Sequence, residues 1–495
     1  MHKIGFDNDL YIKLQSENIN ERIKKFDNKL YLEFGGKLFD DYHASRVLPG
    51  FEPDTKVKML LNLKEKVEIV IVINASDIEK NKIRGDLGIT YDQDVLRLID
   101  AFRSIDLFVG SVVIAQYENI NVVNVFKSKL EKLGIKVYLH YSIENYPNDI
   151  SFIVSDDGYG KNDYIETSKE LVVVTAPGPG SGKMATCLSQ LYHDYNRGIK
   201  AGYAKFETFP IWNIALNHPV NVAYEAATAD LADINMIDPF HLEKYDEKAI
   251  NYNRDVEVFP LLKTLIKNIA NEDIYYSPTD MGVNMAGYCI KDHDICSKAS
   301  KDEIVRRYYD ALVGYRKGDI EKSVIEKLEL LMNQMEIDKT YRKVAEVANE
   351  RANKNEKPVV AIELSDGRII TGRTTSLLGA SSTCLLNVLK VLANINDDVL
   401  LISPEIISPI RNLKVNIVGN NNPRLHLDET LIALSIAASK NNDAKLALEQ
   451  IVKLKNCNVH SSVILSEVDV KVFKSLDMYL TQQANYYSKK LYHKK

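Results

Sequence analysis

The sequence has few cysteines, a single tryptophan and no long apolar segment. Five cysteines occur in 495 residues, and no two of them form a Cys-x-x-Cys pair. Such a chain is typical of a reducing compartment and not of a disulfide-stabilised secreted scaffold. No apolar run approaches the roughly 18 residues of a membrane helix, and Met1–Leu10 contains no apolar signal-peptide core. These absences predict a cytoplasmic protein without a membrane partner.

The sequence also lacks an excess of positive charge. It contains 63 lysines and arginines against 68 aspartates and glutamates, which gives a formal net charge of −5. Proteins that bind nucleic acids usually present a broad basic surface, so we expect no nucleic-acid partner. A local basic pocket for a small anionic or phosphorylated ligand remains compatible with this balance. The composition leaves the oligomeric state open, and a homo-oligomer is one of the alternatives.

The apolar segments alternate between strand-like and helix-like patterns. Val67–Asn74 has the sequence VEIVIVIN, a short β-branched run typical of a strand buried on both faces. Asp92–Phe102 has helical spacing, and Val112–Ala115 is again strand-like. Consecutive β–α units place helices over a mostly parallel sheet. The sequence therefore predicts a multi-domain α/β fold with mostly parallel sheets flanked by helices.

Length and shifts in composition divide the chain into four predicted parts. At about 150 residues per domain, the chain is long enough for about three domains. We predict an N-terminal α/β domain, a second α/β domain with an irregular polar segment, a charged helical linker and a C-terminal α/β domain. Their predicted limits are residues 1–165, 166–300, 301–356 and 357–495.

A glycine-rich turn follows the strand predicted at Glu170–Thr175. Residues 176–183 have the sequence APGPGSGK and lead into a predicted helix. Glycines let a backbone wrap an anion, and the N-terminus of a helix adds positive potential. The alternative is a connection that serves only the turn, although two prolines and three glycines within six residues favour a site. The predicted anion-binding residues are Gly178, Gly180, Ser181, Gly182, Lys183 and Thr186.

This turn is similar to the phosphate loop of P-loop synthetases of the dethiobiotin-synthetase type. It departs from the full G-x-x-x-x-G-K-[ST] pattern, because Pro177 stands at the first glycine position and Met184 follows the lysine. Ser181 and Thr186 are the nearest hydroxyls that could replace the missing Mg²⁺ ligand. The resemblance implies ATP or another nucleotide with Mg²⁺ as the ligand. The two departures favour binding over hydrolysis.

Three residues beyond the turn are predicted to act in catalysis. Lys205 and Glu207 lie at the end of the next predicted strand, Ala201–Phe206, where an α/β sheet gathers ligand groups. The resemblance gives Lys205 the role of the synthetase lysine that reaches substrate and phosphate, with a surface lysine at a strand end as the equal alternative. Glu207 is the nearest acid for a metal. Asp280 lies in the polar loop Ser277–Met285, where a site and a helix-capping turn are equal alternatives. We expect both carboxylates to lie near the glycine-rich turn.

A second glycine turn, Gly35-Gly36, follows the strand predicted at Leu30–Phe34. Lys37, His43 and Arg46 lie just beyond this turn and are available to an anionic ligand. A tight turn without a ligand is the equal alternative.

The sequence predicts no zinc site. Cys289, His293 and Cys296 lack the second ligand pair that structural zinc requires, so buried thiols and an ordinary histidine are favoured. His426 and His460 are further functional candidates, with structural roles as the alternative.

The C-terminal part resembles the cytidine-deaminase-like fold in its order of hairpin, helix, strand and helix. That family holds zinc through H-x-E and P-C-x-x-C motifs. At the corresponding positions this chain has Gly379-Ala380-Ser381 and Pro404-Glu405-Ile406-Ile407-Ser408. The resemblance therefore implies a deaminase-like layout without zinc ligands, with a strand predicted at Val399–Ser403.

The chain as a whole is similar to a family of bacterial proteins of unknown function. The resemblance implies a bacterial cytoplasmic protein and no particular reaction. Neither HExxH nor G-x-S-x-G occurs in the sequence, so it gives no support to peptidase chemistry. The segments that carry the resemblance are Glu33–Arg46, Ser155–Lys183, Gly202–Asn213, Tyr224–Asp230 and His460–Ser466.

Two functions from different classes fit these patterns. The first is a ligase- or transferase-type enzyme that binds a nucleotide or phosphorylated metabolite at the glycine-rich turn. The second is a catalytically inert sensor or scaffold that binds a phosphate ligand there. Only the enzyme would convert its ligand, so the sequence leaves catalysis open.

Overall fold

A computed structural model describes residues 4–36, 38–39, 41–85 and 87–487 of the chain. Residues 4–225 and 232–299 form one compact unit, here called the amino-terminal unit. Residues 226–231 and 300–487 form the carboxyl-terminal unit. Among the described residues, we find no helix that combines the length and the apolar character needed to cross a membrane.

The strands alternate with helices along most of the chain. The strands are β1 (Leu30–Phe34), β2 (Val67–Asn74), β3 (Ile83–Arg84), β4 (Ile89–Thr90), β5 (Val109–Ala115), β6 (Lys136–Leu139), β7 (Leu171–Thr175), β8 (Gly202–Phe206), β9 (Asn235–Ile237), β10 (Ile250–Tyr252), β11 (Gly282–Val283), β12 (Val359–Glu363), β13 (Ile369–Arg373), β14 (Asn458–Ser461) and β15 (Tyr479–Gln482). The helices are α1 (Asn8–Lys25), α2 (Tyr42–Val47), α3 (Thr55–Asn62), α4 (Ala75–Glu79), α5 (Tyr91–Ser104), α6 (Asn121–Lys132), α7 (Ile150–Ile153), α8 (Lys183–Asn196), α9 (Pro219–Ala227), α10 (Pro239–Tyr245), α11 (Asn253–Ala270), α12 (Pro278–Met281), α13 (His293–Lys317), α14 (Lys322–Gln334), α15 (Lys343–Asn355), α16 (Ala380–Ala393), α17 (Pro404–Asn412), α18 (Leu427–Ala438), α19 (Asn442–Glu449) and α20 (Glu467–Ser475).

A seven-stranded parallel sheet forms the centre of the amino-terminal unit. Its strand order is β11-β8-β1-β7-β2-β5-β6, and each neighbouring pair is parallel. All residues of β2 are buried, because helices cover both faces and a β-branched run fills the space between them. The predicted α/β fold with parallel strands flanked by helices is confirmed.

The limit predicted between residues 165 and 166 falls within this single sheet. β7 pairs with β1 on one side and with β2 on the other, so strands from both predicted domains alternate in one hydrogen-bonded array. A second series of β–α units can start a new sheet or insert into an existing one, and its local sequence looks the same in both cases. The structure therefore joins the two predicted domains into one unit.

Different helices cover the two faces of this sheet. The Tyr31 hydroxyl of β1 donates a hydrogen bond to Asp194 of α8 at 2.7 Å. Phe34 of the same strand stacks on Phe206, with ring centroids 4.2 Å apart, and the Lys56 ammonium of α3 lies 5.8 Å from the Phe206 centroid. Because side chains alternate along a strand, α8 and α3 lie on opposite faces.

The carboxyl-terminal unit contains a separate sheet in the order β13-β12-β14-β15. β12 is antiparallel to β13 and β14, while β14 and β15 are parallel. On one face, Ala361 of β12 packs against Val344 and Ala348 of α15. On the other face, Val360 and Ile362 belong to the larger core that contains α16. A separate C-terminal α/β domain is confirmed, and α15, predicted as part of a linker, covers one side of its sheet.

The strand predicted at Val399–Ser403 is wrong. These residues form an irregular segment, with Leu400 67% exposed, and β14 supplies the third strand of the sheet. A five-residue apolar run becomes a strand only when a neighbouring strand offers hydrogen bonds, and β12 pairs instead with β13 and β14. The order of hairpin, helix and strand that carried the deaminase resemblance is therefore interrupted here.

Candidate functional site

The loops after β1 and β7 diverge at the carboxyl edge of the large sheet. The chain leaving β1 passes through α2 to α3 on one face, whereas the chain leaving β7 passes directly to α8 on the opposite face. Ligands of open α/β sheets bind in the crevice that such diverging loops leave. The turn Gly35-Gly36 and the loop 176–182 follow these two adjacent strands.

Each glycine of the loop after β7 has a structural reason. A Cβ at Gly178 would lie 2.2 Å from the Tyr91 hydroxyl oxygen, so a side chain there would require Tyr91 to shift. Gly180 and Gly182 have φ values of +75° and +94°, which side chains disfavour. The Ser181 hydroxyl donates to the Gly178 carbonyl at 2.6 Å. The predicted residues thus form a tightly constrained loop whose tip, Gly180, is exposed.

The loop ends at the N-terminus of α8. Gly182 is the N-cap and has no side chain to accept from the first helical N–H groups. Lys183, the first helical residue, is partly exposed. One turn on, Thr186 is 1% exposed, and its hydroxyl has no hydrogen-bond partner among the described residues. Buried hydroxyls are nearly always hydrogen-bonded. Of the two hydroxyls predicted to replace the missing Mg²⁺ ligand, that of Ser181 is bonded within the loop, and that of Thr186 has no partner among the described residues.

The sheet register places Lys205 and Glu207 on the same edge as the loop. Lys205 is level with Glu33 of β1, and Glu33 is level with Val174 of β7. Neighbouring strands are about 4.8 Å apart, so the ends of β8 and β7 are about 10 Å apart. The Glu207 side chain lies against the end of β1, since a Cβ at Gly35 would be 3.0 Å from Glu207 Cγ.

Lys205 and Glu207 belong to an ion cluster, here called the β8 cluster, with Tyr252 and Asp255. The Lys205 ammonium lies 2.6 Å from both Asp255 carboxylate oxygens, 2.7 Å from the Tyr252 hydroxyl and 2.9 Å from Glu207 Oε1. The Tyr252 hydroxyl donates to that same oxygen of Glu207. The hydrogen-bonding capacity of the Lys205 ammonium is thereby used within the protein.

Burial and the neighbouring charges shift the pKa values of this cluster. Burial raises the pKa of Glu207 to about 7, with a further increase from Asp255, while the Lys205 ammonium opposes the rise. Burial by itself would lower the pKa of Lys205, but Glu207, Tyr252 and Asp255 together hold it well above its ordinary value. Glu207 is therefore poised to exchange a proton near neutrality, whereas Lys205 stays charged.

Asp280 has the environment of the helix-capping alternative. Its carboxylate accepts from the backbone N–H groups of Tyr276 and Ser277 at 2.9 and 3.1 Å, and from the Tyr245 hydroxyl at 3.0 Å. With Ser277 it forms a capping box at the start of α12. The structure thus brings Lys205 and Glu207 together and gives the Asp280 side chain the helix-capping role.

Sequence reasoning did not assign a role to Glu33, which lies between the loop helix and the β8 cluster. Its Oε2 accepts from the Tyr203 hydroxyl at 2.6 Å. Burial raises the pKa of Cys187 on α8, Glu33 raises it further, and Lys183 opposes this increase. The charges of Glu33 and Lys183 therefore both act on the Cys187 thiol. The sequence contains a signal for Glu33, because a carboxylate is unusual within the apolar strand LYLEF, shortly before two glycines.

The second glycine turn is lined by a partly buried ion pair. Lys56 of α3 pairs with Asp41 at 2.8 Å. The His43 ring contacts Phe209 edge-on, with centroids 5.1 Å apart. Lys37, the lysine predicted next to this turn, lies outside the described residues.

The two cysteines and the histidine considered for zinc have separate environments. Cys289 and Cys296 are buried, while His293 lies against His218, with 3.1 Å between Nδ1 and Nε2. No group of three or more His, Cys, Asp or Glu side chains suited to a metal occurs among these described residues. His460 is completely buried, and its Nδ1 bonds to Thr481 at 2.8 Å, while its Nε2 has no hydrogen-bond partner among the described residues.

The large parallel sheet flanked by helices, with its separate C-terminal sheet, makes this an α/β protein. The glycine-rich loop, the uncapped N-terminus of α8 and the β8 cluster lie at the carboxyl edge of the large sheet. The chain belongs to the UPF0371 family. The family models described as domain of unknown function DUF1846, N-terminal and C-terminal, match residues 4–336 and 340–492. This result confirms the resemblance to a bacterial family of unknown function.

The relatives match along the entire chain. A UPF0371 protein of Corynebacterium urealyticum is 55% identical over 495 residues, which cover 100% of both chains. A UPF0371 protein of Streptococcus uberis is 54% identical over 494 residues and a third, from Streptococcus sanguinis, is 53% identical over 494 residues, again with complete coverage of both chains. The resemblance to P-loop synthetases stays a prediction.

Proposed function

We propose that the amino-terminal unit binds a nucleotide or another phosphorylated metabolite at the loop 176–182 and the first turn of α8, in the bacterial cytoplasm. One observation carries the proposal: the N-terminus of α8 has no side-chain cap, and a buried, unbonded hydroxyl lies within its first turns. A bound phosphate would accept from the free N–H groups, interact with the helix dipole and pair with Lys183. Thr186 offers a hydroxyl for the phosphate or for its Mg²⁺.

We further propose that the protein is a ligase- or transferase-type enzyme with Glu207 as its acid–base residue. A carboxyl with a pKa of about 7 can both accept and release a proton at neutral pH. Lys205 is a positioning residue in this scheme, because Asp255, Tyr252 and Glu207 already occupy its ammonium. This role differs from the phosphate contact that the synthetase resemblance implies.

Calorimetric titration of the full chain with ATP, GTP, tripolyphosphate and inorganic phosphate tests the binding site. We expect Lys183→Ala to weaken binding by about ten- to a hundredfold, the usual effect of losing one charge-assisted hydrogen bond. Thr186→Val, which keeps the shape of the side chain, should also weaken binding. Lys200→Ala is the matched control, because Lys200 is exposed beyond the opposite end of α8. Absence of binding by the wild type, or equal binding by all variants, would contradict the proposal.

A catalytically inert phosphate sensor is the second candidate. It is favoured by the two departures from the phosphate-loop pattern, Pro177 and Met184, and by the internal pairing of Lys205. Incubation of wild type and Glu207→Gln with a bacterial metabolite extract, followed by mass spectrometry, separates the two. An enzyme depletes a metabolite only with the wild type, whereas a sensor binds the same compound with both proteins and leaves it unchanged.

A further inference from the structure

A small pocket lies beside the β8 cluster, at the edge of the sheet formed by β8 and β11. Lys205, Glu207 and Asp255 line it together with Trp212, Asn251 and Asn284. The anion-binding loop lies about 10 Å away, beyond β1. The pocket is therefore separate from the proposed phosphate position but close enough for a second reactant.

We propose that this pocket binds the ammonium group of an amine co-substrate. The proposal rests on the function proposed above and names the chemical class of the second reactant. Its basis is the charge of the pocket, an available carboxylate oxygen and a fixed indole.

The charge of the pocket favours a cation. Above about pH 7, Glu207 and Asp255 carry two negative charges against the single positive charge of Lys205, and the remaining lining residues are uncharged. The Lys205 ammonium is held by both Asp255 oxygens at 2.6 Å, so it offers little to an incoming anion. A phosphate would meet a net negative pocket here, while an ammonium would complete the charge balance.

Glu207 has an oxygen available for this contact. Its Oε1 contacts the Lys205 ammonium and accepts a hydrogen bond from the Tyr252 hydroxyl. The second oxygen, Oε2, has no bonded partner among the described residues, and the side chain is 22% exposed. An ammonium bonded to Oε2 can transfer one proton to that oxygen. The products are a neutral amine, which is a nucleophile, and a protonated Glu207.

Trp212 supplies a rigid aromatic wall. Its indole N–H donates to the Asn284 carbonyl at 2.9 Å. The Asn284 amide in turn donates to the carbonyls of Thr208 and Pro210 at 3.0 and 3.1 Å. An indole fixed beside carboxylates is a common environment for ammonium groups, because the ring face attracts cations.

Trp212 also allows a direct test, since it is the only tryptophan of the chain. We would titrate the full-length protein at about pH 8 with butylammonium chloride, butanol and sodium butyrate at matched ionic strength, and follow Trp212 fluorescence. We expect a saturable change with butylammonium and none with the neutral or anionic analogue. Equal responses to all three probes, or no response to butylammonium, would overturn the proposal.

Variants and pH identify the group that binds the amine. The charged and titratable groups that face Glu207 are Lys205 on its own strand, Tyr252, Asp255 and Tyr224. Because Glu207 loses its charge below about pH 7, butylammonium should bind about tenfold or more weakly at about pH 5.5 than at about pH 8. Glu207→Gln should remove this pH dependence together with most of the binding. Glu207→Asp, which keeps the charge, should retain the pH dependence with weaker binding.

A separate variant distinguishes this proposal from the proposed phosphate site. Lys183→Ala should leave the butylammonium titration unchanged, whereas it should weaken phosphate binding in the calorimeter. A protein that binds butylammonium but no phosphate contradicts only the proposed phosphate function. A protein that binds phosphate and gives the same butylammonium titration in wild type and Glu207→Gln contradicts only the amine pocket.

Discussion

At the scale of single residues, Glu207 illustrates how a strand end sets the chemistry of a side chain. It follows β8 directly, so it lies at the carboxyl edge of the sheet. Its side chain contacts the Tyr252 hydroxyl and the end of β1. Burial removes water from the carboxylate and so destabilises its charged form, while the Lys205 ammonium stabilises that charged form in part. The balance leaves a carboxyl that titrates near neutrality.

This balance predicts a measurable pH dependence of folding stability. The pKa of Glu207 is about 7 in the folded protein against an ordinary value of 4.5, so the folded state binds more protons between these pH values. Stability should therefore fall as the pH rises through this window and level off above it. Glu207→Gln does not titrate, and we expect its stability relative to wild type to increase by about 1–3 kcal/mol across the window.

Urea unfolding at several pH values between about 4.5 and 8 measures this difference. The matched control is Glu257→Gln, which replaces an exposed carboxylate of α11. It should follow the wild type at every pH. Parallel stability curves for wild type and Glu207→Gln would show that Glu207 has the same pKa in the folded and unfolded chains.

At the scale of elements, the loop between β7 and α8 combines two different uses of glycine. Gly178 is required by close packing against Tyr91, whereas Gly180 has open space around it and is required by its positive φ. The first glycine holds the loop against α5, and the second leaves the exposed tip free of side-chain atoms. Only the second is therefore suited to direct contact with a ligand.

Alanine substitutions separate these two uses. Gly178→Ala should destabilise the protein by about 1–3 kcal/mol through overpacking, and Gly180→Ala by about 1–2 kcal/mol through backbone strain. Combining each with Tyr91→Ala gives a double-mutant cycle measured by urea unfolding. We expect a coupling of about 1 kcal/mol or more for Gly178 and none for Gly180. Equal coupling at both positions would mean that the Tyr91 contact does not explain Gly178.

At the scale of the whole molecule, the units differ from the predicted domains. β7 enters the sheet between β1 and β2, so residues 1–165 lack a strand from the middle of their sheet. In the carboxyl-terminal unit, α15 covers Ala361. The buried guanidinium of Arg342 donates to the Tyr479 carbonyl at 2.6 Å and to Thr481 at 3.1 Å. Both units therefore depend on residues from two predicted parts.

This organisation predicts which fragments fold. We expect residues 300–495 to give a cooperative thermal transition and dispersed amide resonances, because this fragment keeps Arg342 and α15. Residues 357–495 should lack both features, since one face of their sheet and the anchor of β15 are removed. Residues 1–165 should likewise fail to fold alone. A cooperative transition for 357–495 would show that α15 is dispensable for the C-terminal sheet.

Local patterns in the sequence determined the long buried strands of the large sheet, the glycine-rich turn and the class of fold. β2 was predictable because six of its eight buried positions hold β-branched apolar residues, as a strand covered on both faces requires. The turn was predictable because positive φ values and close packing demand glycine at fixed positions. Lys205 and Glu207 were predictable as site candidates, since residues at the ends of parallel strands meet at one edge.

Only the tertiary structure decided the partners of these residues and the order of the strands. Tyr252 and Asp255 reach Lys205 from a segment about fifty residues downstream, and no local pattern marks an acid that will pair with a buried lysine. No local pattern shows either that β7 inserts between β1 and β2 or that residues 399–403 stay irregular. Strand pairing and ion pairing depend on which surfaces meet when the chain is buried, and that is a property of the whole fold and not of any short segment.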